Sequence, residues 1–285
     1  MDPNESSDIN DIIDHKSDQL FIYQGAYDAL GTVAEIAELI ALHDIAVMTH
    51  GFYLDGSAWI NGSCLDVNYA SMPTLLAEVR ALNPEILIFG YVPATADHPN
   101  GCWPIPSIVM EACPTGECAD FKTWTDLWLS FEDEAIQIDG IFIDLVHPAL
   151  IGESVRDSVF SYIKSKGKLI MANALSDTAG LTMATESPYL TETDYLLVEG
   201  YHTIAGSNNV FTPAINNVLA GISQKWVAIS SEYYNAAVSC SSSAYAEAYA
   251  MFQEHGGSAF TYQAADLGGQ SGSWIYCDRP PSEIE

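Results

Sequence analysis

The chain has 285 residues, of which 38 are acidic and nine basic, for a formal charge of −29. That imbalance excludes the basic surface needed to hold phosphate backbones or anionic membranes. No run approaches the roughly 18 apolar residues that span a bilayer, whereas 48% hydrophobic residues suffice for a large buried core.

In chain order, residues 1–18 are polar and acidic and lack the apolar centre of a signal peptide, so they read as a disordered leader. A first strand is predicted over 20–26, and a helix from about Thr32 carries Val33, Ile36 and Ile40 on one face. A second strand over 44–48 ends near His50 and Tyr53, and the helix after it shows Leu75, Val79 and Leu82. The third strand, 85–92, opens into a loop over 93–119 rich in Pro, Gly and Cys, too long for a simple connection. Phe121, Trp124, Trp128, Phe131 and Ala135 then mark an amphipathic helix.

The fourth strand is the most informative. In Ile138-Asp139-Gly140-Ile141-Phe142-Ile143-Asp144-Leu145-Val146-His147-Pro148, a short β-branched run leads into a carboxylate and a proline closes the segment. Such a run reads as a strand buried on both faces, as in parallel sheets. Val155, Val159 and Ile163 mark the next helix, and further strands are expected over 168–172, 194–198, 225–229 and 258–262. Helices are expected over 212–222 and 242–254. Eight strands alternating with helices and no break in composition predict a single (β/α)8 TIM-type barrel over 19–277, with a tail at 278–285. An open doubly wound sheet is disfavoured, because no Gly-x-Gly-x-x-Gly turn follows the first strand.

Six cysteines, at 64, 102, 113, 118, 240 and 277, suit three disulfides in an exported protein. Cys240 with Cys277 is the expected pairing, the other four bonding among themselves. Cys113-Pro-Thr-Gly-Glu-Cys118 has no second close Cys or His pair to complete a zinc site. Asn4 and Asn61 head glycosylation sequons.

In a barrel of this type, functional groups gather at the C-terminal ends of the strands. The ends here supply His50, Tyr53, Tyr91, Asp97, His98, Asp144, His147, Asn173, Glu199, His202, Glu232, Tyr233, Gln263 and Asp266. Acids and aromatics in one rim suit a carbohydrate, since rings stack on sugars and carboxylates bind hydroxyls or transfer protons. Asp144 and Glu199, each at the end of an apolar strand, form the first catalytic pair. Asp139, at the start of its strand, reads as a turn or cap residue. The histidines raise a metal-dependent alternative, but neither His-x-His nor His-Glu-x-x-His occurs. A serine elbow, Gly-x-Ser-x-Gly, is also missing from the sequence.

The segments Phe89-Gly90-Tyr91-Val92, Asp139 to Asp144, Ala172-Asn173 and Asp194 to Glu199 together resemble the spherulin-4-like glycoside hydrolases, relatives of the endo-α-1,4-polygalactosaminidases. The resemblance runs from about Phe21 to Asp266. It implies an exported barrel that cleaves α-1,4-linked galactosamine or N-acetylgalactosamine in exopolysaccharide; separately, the chain is expected to be a monomer. It further implies Asp144 and Glu199 as catalytic carboxylates, with no organic cofactor and no metal. Tyr53, Tyr91, His98, Asn173, Tyr201, His202, Glu232 and Asp266 are the expected substrate contacts. A partly deacetylated polymer of this kind is cationic, which suits the acidic chain. Leu145 stands where the family commonly has a second acid. The alternatives are therefore a carbohydrate-binding barrel without turnover, and a metal-dependent polysaccharide hydrolase or deacetylase.

Overall fold

A computed structural model of the chain describes residues 20–22, 32–48, 72–93, 121–175, 177–199, 201, 204–205, 208–209, 213–231 and 243–263. The leader, the tail, all six cysteines and both sequons lie outside these residues, as does the long loop after the third strand.

Eight parallel strands form one sheet in the order β1 (Leu20–Ile22), β2 (Ile45–Met48), β3 (Leu87–Pro93), β4 (Gly140–Asp144), β5 (Leu169–Asn173), β6 (Tyr195–Glu199), β9 (Lys225–Ser231) and β10 (Ala259–Gln263). The sheet order follows the chain order, so there is no reversal point of the kind an open doubly wound sheet contains. The first and last strands also approach each other, and the sheet curls into a nearly closed barrel. Between β6 and β9 a short antiparallel hairpin intervenes, β7 (Ile204–Ala205) with β8 (Asn208–Asn209). It had no counterpart among the sequence expectations.

Alternation along the strands sorts their residues into two cores. Ile45, Val47, Phe89, Phe142, Met171, Tyr195, Leu197, Val227, Ile229 and Ala259 pack together inside the barrel. Ala46, Met48, Ile88, Val92, Ile141, Ile143, Ile170, Ala172, Leu196, Val198 and Ala228 face outward against the helices. Register makes the inner layer interlock. Phe89 lies beside Gly140, where a Cβ would sit 2.3 Å from the Phe89 ring. A side chain at 140 would therefore displace Phe89.

The helices are α1 (Val33–Ala41), α2 (Met72–Leu82), α3 (Phe121–Leu129), α4 (Glu153–Ser165), α5 (Thr178–Thr185), α6 (Pro213–Leu219) and α7 (Ser243–Glu254). Thr32 and Glu35 form a capping box at the start of α1, which buries Ile36, Ala37, Ile40 and Ala41. Two helical expectations are corrected. Leu82 ends α2 exposed rather than in its apolar face. The helix through Trp128 stops at Leu129, short of Phe131 and Ala135. The Asp133 carboxylate accepts the Ala135 and Ile136 N–H groups at 2.7 and 2.9 Å, turning the chain into β4. Helix α5 was not expected, because Thr and Gly weaken its propensity; Asp177 nonetheless caps it by accepting the Gly180 N–H at 2.8 Å.

Strands run from the barrel bottom to its mouth and the helices return, so helix C-termini and strand N-termini share the bottom. Asp139 at the foot of β4 accepts Arg80 Nη2 at 2.7 Å and the Ile88 N–H at 2.8 Å. Asp194, fully buried at the foot of β6, accepts Lys164 Nζ and the Ile170 and Thr191 N–H groups. These acids brace the bottom of the barrel. The turn or cap role expected of Asp139 is replaced by an ion pair across 59 residues of sequence.

Candidate active site

Strands β4 and β6 each carry an acid at both ends. The acids at their feet have cationic partners; the acids at the mouth, Asp144 and Glu199, have none among the described residues. What joins this second pair is one amide. Asn173 Nδ2 donates to Asp144 Oδ1 at 2.7 Å and to Glu199 Oε2 at 2.9 Å. The bonded oxygens are therefore no farther apart than 5.6 Å, the two bonds laid end to end. With the two N–H bonds diverging at about 120°, they are about 4.9 Å apart.

The amide orientation is fixed by its other end. Asn173 Oδ1 accepts the Leu175 N–H at 2.9 Å, so the nitrogen must face the carboxylates. Leu175 has φ 58° and Leu145, after Asp144, has φ 64°. Both lie in the left-handed region that costs an L-residue about 1–2 kcal/mol. In each case the turned backbone sends its N–H back to a site side chain: Leu145 N–H donates to Asp144 Oδ1 at 2.9 Å. Strain gathered at two neighbouring strand ends is characteristic of functional rims.

A third donor completes the setting of Asp144. Tyr91 Oη donates to Asp144 Oδ2 at 2.5 Å. The Tyr91 ring stacks on Phe142, and Trp128 Nε1 donates to the Tyr91 carbonyl at 2.9 Å. Trp128 lies over Gly90, where a Cβ would come within 2.3 Å of its ring, so only glycine lets the indole approach. Burial and the charges of Asp144 and Glu199 hold the Tyr91 hydroxyl well above its ordinary range. It therefore stays protonated and donates.

Among the described residues Asp144 thus receives three donors and Glu199 one. Burial raises the Asp144 carboxyl above its ordinary range, and the bonds from Tyr91, Asn173 and Leu145 offset only part of that rise. Burial also raises Glu199; the Asn173 amide alone opposes the rise, and the charge of Asp144 adds to it. Both carboxyls are raised, and the richer set of donors makes Asp144 the more readily ionised of the two.

Other expected contacts are placed differently. The Asn173 side chain is buried, with both amide atoms engaged by protein, so it offers no free group to a sugar hydroxyl. Tyr201 is buried outside the barrel between Trp226 and Phe252, in the layer between strand and helix, and presents no open ring face. His147 is taken up by local structure. Its Nδ1 accepts the Ala149 N–H at 3.1 Å, which places the hydrogen on Nε2, 2.9 Å from Asp177. No three His, Cys, Asp or Glu among the described residues are grouped to hold a metal. Tyr53, His98, His202, Glu232 and Asp266 lie outside the described residues, as do His50, Asp97 and Tyr233.

Sequence reasoning placed Asn173 at the rim but as a sugar contact, and it missed the Leu145 amide that donates to Asp144 and the Trp128 indole that donates to the Tyr91 carbonyl. An Asn closing an apolar strand was a usable signal. The backbone donors left no trace in the sequence.

Fold and site together define a (β/α)8 barrel with a pair of half-buried carboxylates at its mouth that have no cationic partner among the described residues. No known family model matches the sequence, and no curated protein matches it. Solved structures do. The carboxyl transferase domain of Rhizobium etli pyruvate carboxylase with pyruvate is 12% identical, with a TM-score of 0.49 over 90% of this chain and 41% of that one. The chain thus spans less than half the length of that relative. A 3-hexulose-6-phosphate synthase is 13% identical, with a TM-score of 0.43 over 93% of this chain and 95% of the other. The barrel assignment itself rests on the strand order and register described above.

Proposed function

We propose that this chain is an exported, endo-acting glycoside hydrolase. In this reading Asp144 is the nucleophile and Glu199 the general acid and base. The observation that carries it is the single Asn173 amide bonded to both carboxylates, which holds their oxygens within 5.6 Å. Carboxyl groups about 5–5.5 Å apart suit a retaining displacement, with a covalent glycosyl intermediate; inversion needs a wider gap for water. Asp144, the better supplied with donors, attacks the anomeric carbon as its carboxylate while Glu199 gives its proton to the departing oxygen. Glu199, now ionised, then takes a proton from the water that releases the sugar.

The substrate class is α-1,4-linked galactosamine or N-acetylgalactosamine polymer, and the distribution of charge supports a cationic one. Five of the seven described bases, Arg80, Lys164, Lys166, Lys168 and Lys225, sit at the barrel bottom, in last helical turns, at a helix C-cap or at strand starts. Of the other two, Arg156 is buried and paired with Asp157, and Lys122 lies in the first turn of α3 over Phe121 and Tyr162. A polymer bearing free amines therefore meets little opposing charge at the mouth. Leu145, in place of a second acid, does not by itself favour a binding protein without turnover, because what this position gives Asp144 is its backbone N–H.

The test is product release from partly deacetylated α-1,4-galactosaminogalactan, read by mass spectrometry, for wild type, Asp144→Asn and Glu199→Gln, with and without chelator. NMR of the first reducing ends reads the anomer. Wild-type oligosaccharides of retained α configuration, lost in both variants and indifferent to chelator, are expected. A silent wild type refutes the substrate, β products refute the displacement mechanism, and loss of activity with chelator turns the reading toward a metal-dependent hydrolase.

A further inference from the structure

We infer that Asn173 is a positioning residue that sets the gap between Asp144 and Glu199 and limits how tightly Glu199 holds its proton. The inference rests on the proposed reading of that pair, and it reassigns a residue whose sequence context pointed to sugar contact.

Three observations carry it. Both Asn173 hydrogens are used, one on each carboxylate, so any movement of the amide changes the two bonds together. The amide cannot turn over, because Oδ1 is held by the Leu175 N–H, and Leu175 adopts a left-handed conformation to supply it. The side chain is only 3% exposed, flanked by backbone bonds from Val146 N–H to the Asn173 carbonyl and from Ala174 N–H to Leu197.

The chemistry follows from counting donors. Two carboxylates this close, without a cation among the described residues, cannot both ionise cheaply. Asp144 keeps Tyr91 and Leu145 whatever happens at 173, whereas Asn173 is the one donor given to Glu199 among the described residues. The amide therefore limits how far the Glu199 carboxyl rises, keeping it able to lose its proton during turnover. A carboxyl at 173 would replace a shared donor with a third acid. A methyl would leave Glu199 bare to the field of Asp144.

The experiment is a carboxyl 13C NMR titration of the ligand-free protein, wild type against Asn173→Ala and Asn173→Asp, with Glu199→Gln to assign the resonance. Loss of a donor, with an added charge in the Asp variant, is expected to move the Glu199 titration up by about one pH unit or more. The limb of kcat/KM that falls as Glu199 deprotonates should move with it on the galactosaminogalactan. Asp at 173 is nearly isosteric and still offers an oxygen to Leu175, so it keeps the test open if the Ala variant does not fold. A residue that merely supports the fold would lower the melting temperature and leave the titration where it was. A Glu199 titration unmoved in folded Asn173→Asp overturns the inference. If the wild type leaves the polymer intact while the titration shifts, the substrate reading fails and the role of Asn173 stands.

Discussion

Replacing Glu199 by Gln should make the protein more stable at neutral pH. Two like charges about 4.9 Å apart at an effective dielectric of about 20 repel by about 3 kcal/mol. Gln keeps an oxygen for Asn173, so the variant loses only the difference between a charged and a neutral hydrogen bond, about 1 kcal/mol. The net gain is about 2 kcal/mol, or about 4–8 °C in melting temperature for a domain of this size. The pH dependence gives the sharper criterion. Burial, opposed by the Asn173 amide and reinforced by the Asp144 charge, raises the folded Glu199 carboxyl above its unfolded value. Between those two values the folded state binds more protons than the unfolded chain, so wild-type stability falls as pH rises through this window. Near pH 4 the protonated Glu resembles Gln and the two proteins should melt together. The gap should open as pH rises and level off above the folded value. Thermal unfolding of both proteins from about pH 4 to 8 measures it. A gap independent of pH, or a variant less stable at pH 7, would refute the account of an uncompensated pair.

Three further outcomes follow from the geometry. Tyr91→Phe removes one of three donors to Asp144 while leaving the ring on Phe142. Turnover on the polymer should drop about 10- to 100-fold, and the Asp144 titration, followed by carboxyl NMR, should move upward. Leu145→Gly relieves a left-handed residue but keeps its N–H on Asp144. Stability should stay within about 1 kcal/mol of wild type by denaturant unfolding, and activity should persist; its loss would show that the Leu side chain itself is needed. Arg80→Ala strips Asp139 of its cation and removes the Arg80 N–H bond to the Gln137 carbonyl. It should cost about 3 kcal/mol in urea unfolding, with unchanged turnover per folded molecule, since the pair lies at the opposite end of β4 from Asp144.

The sequence alone determined the barrel and the positions of its two mouth acids. Strand burial is a local property: Gly140 to Ile143 and Tyr195 to Val198 are buried throughout, and that run of apolar residues can be read from neighbours along the chain. An acid at the end of such a run stands out for the same reason. Helix α5 and the extent of α3 were harder, since a Thr- and Gly-containing segment and a turn capped by Asp133 depend on weak local preferences. Tertiary structure alone decided what each acid does. Asp139 and Asp144 lie five residues apart on one strand, yet the first meets Arg80 and the second meets Tyr91 and Asn173. Those partners come from 59, 53 and 29 residues away in sequence. Tyr201 likewise looked like a rim aromatic until the packing of Trp226 and Phe252 enclosed it. A carboxylate's charge state and a ring's exposure are set by what surrounds them in space, and only the closed barrel brings those surroundings together.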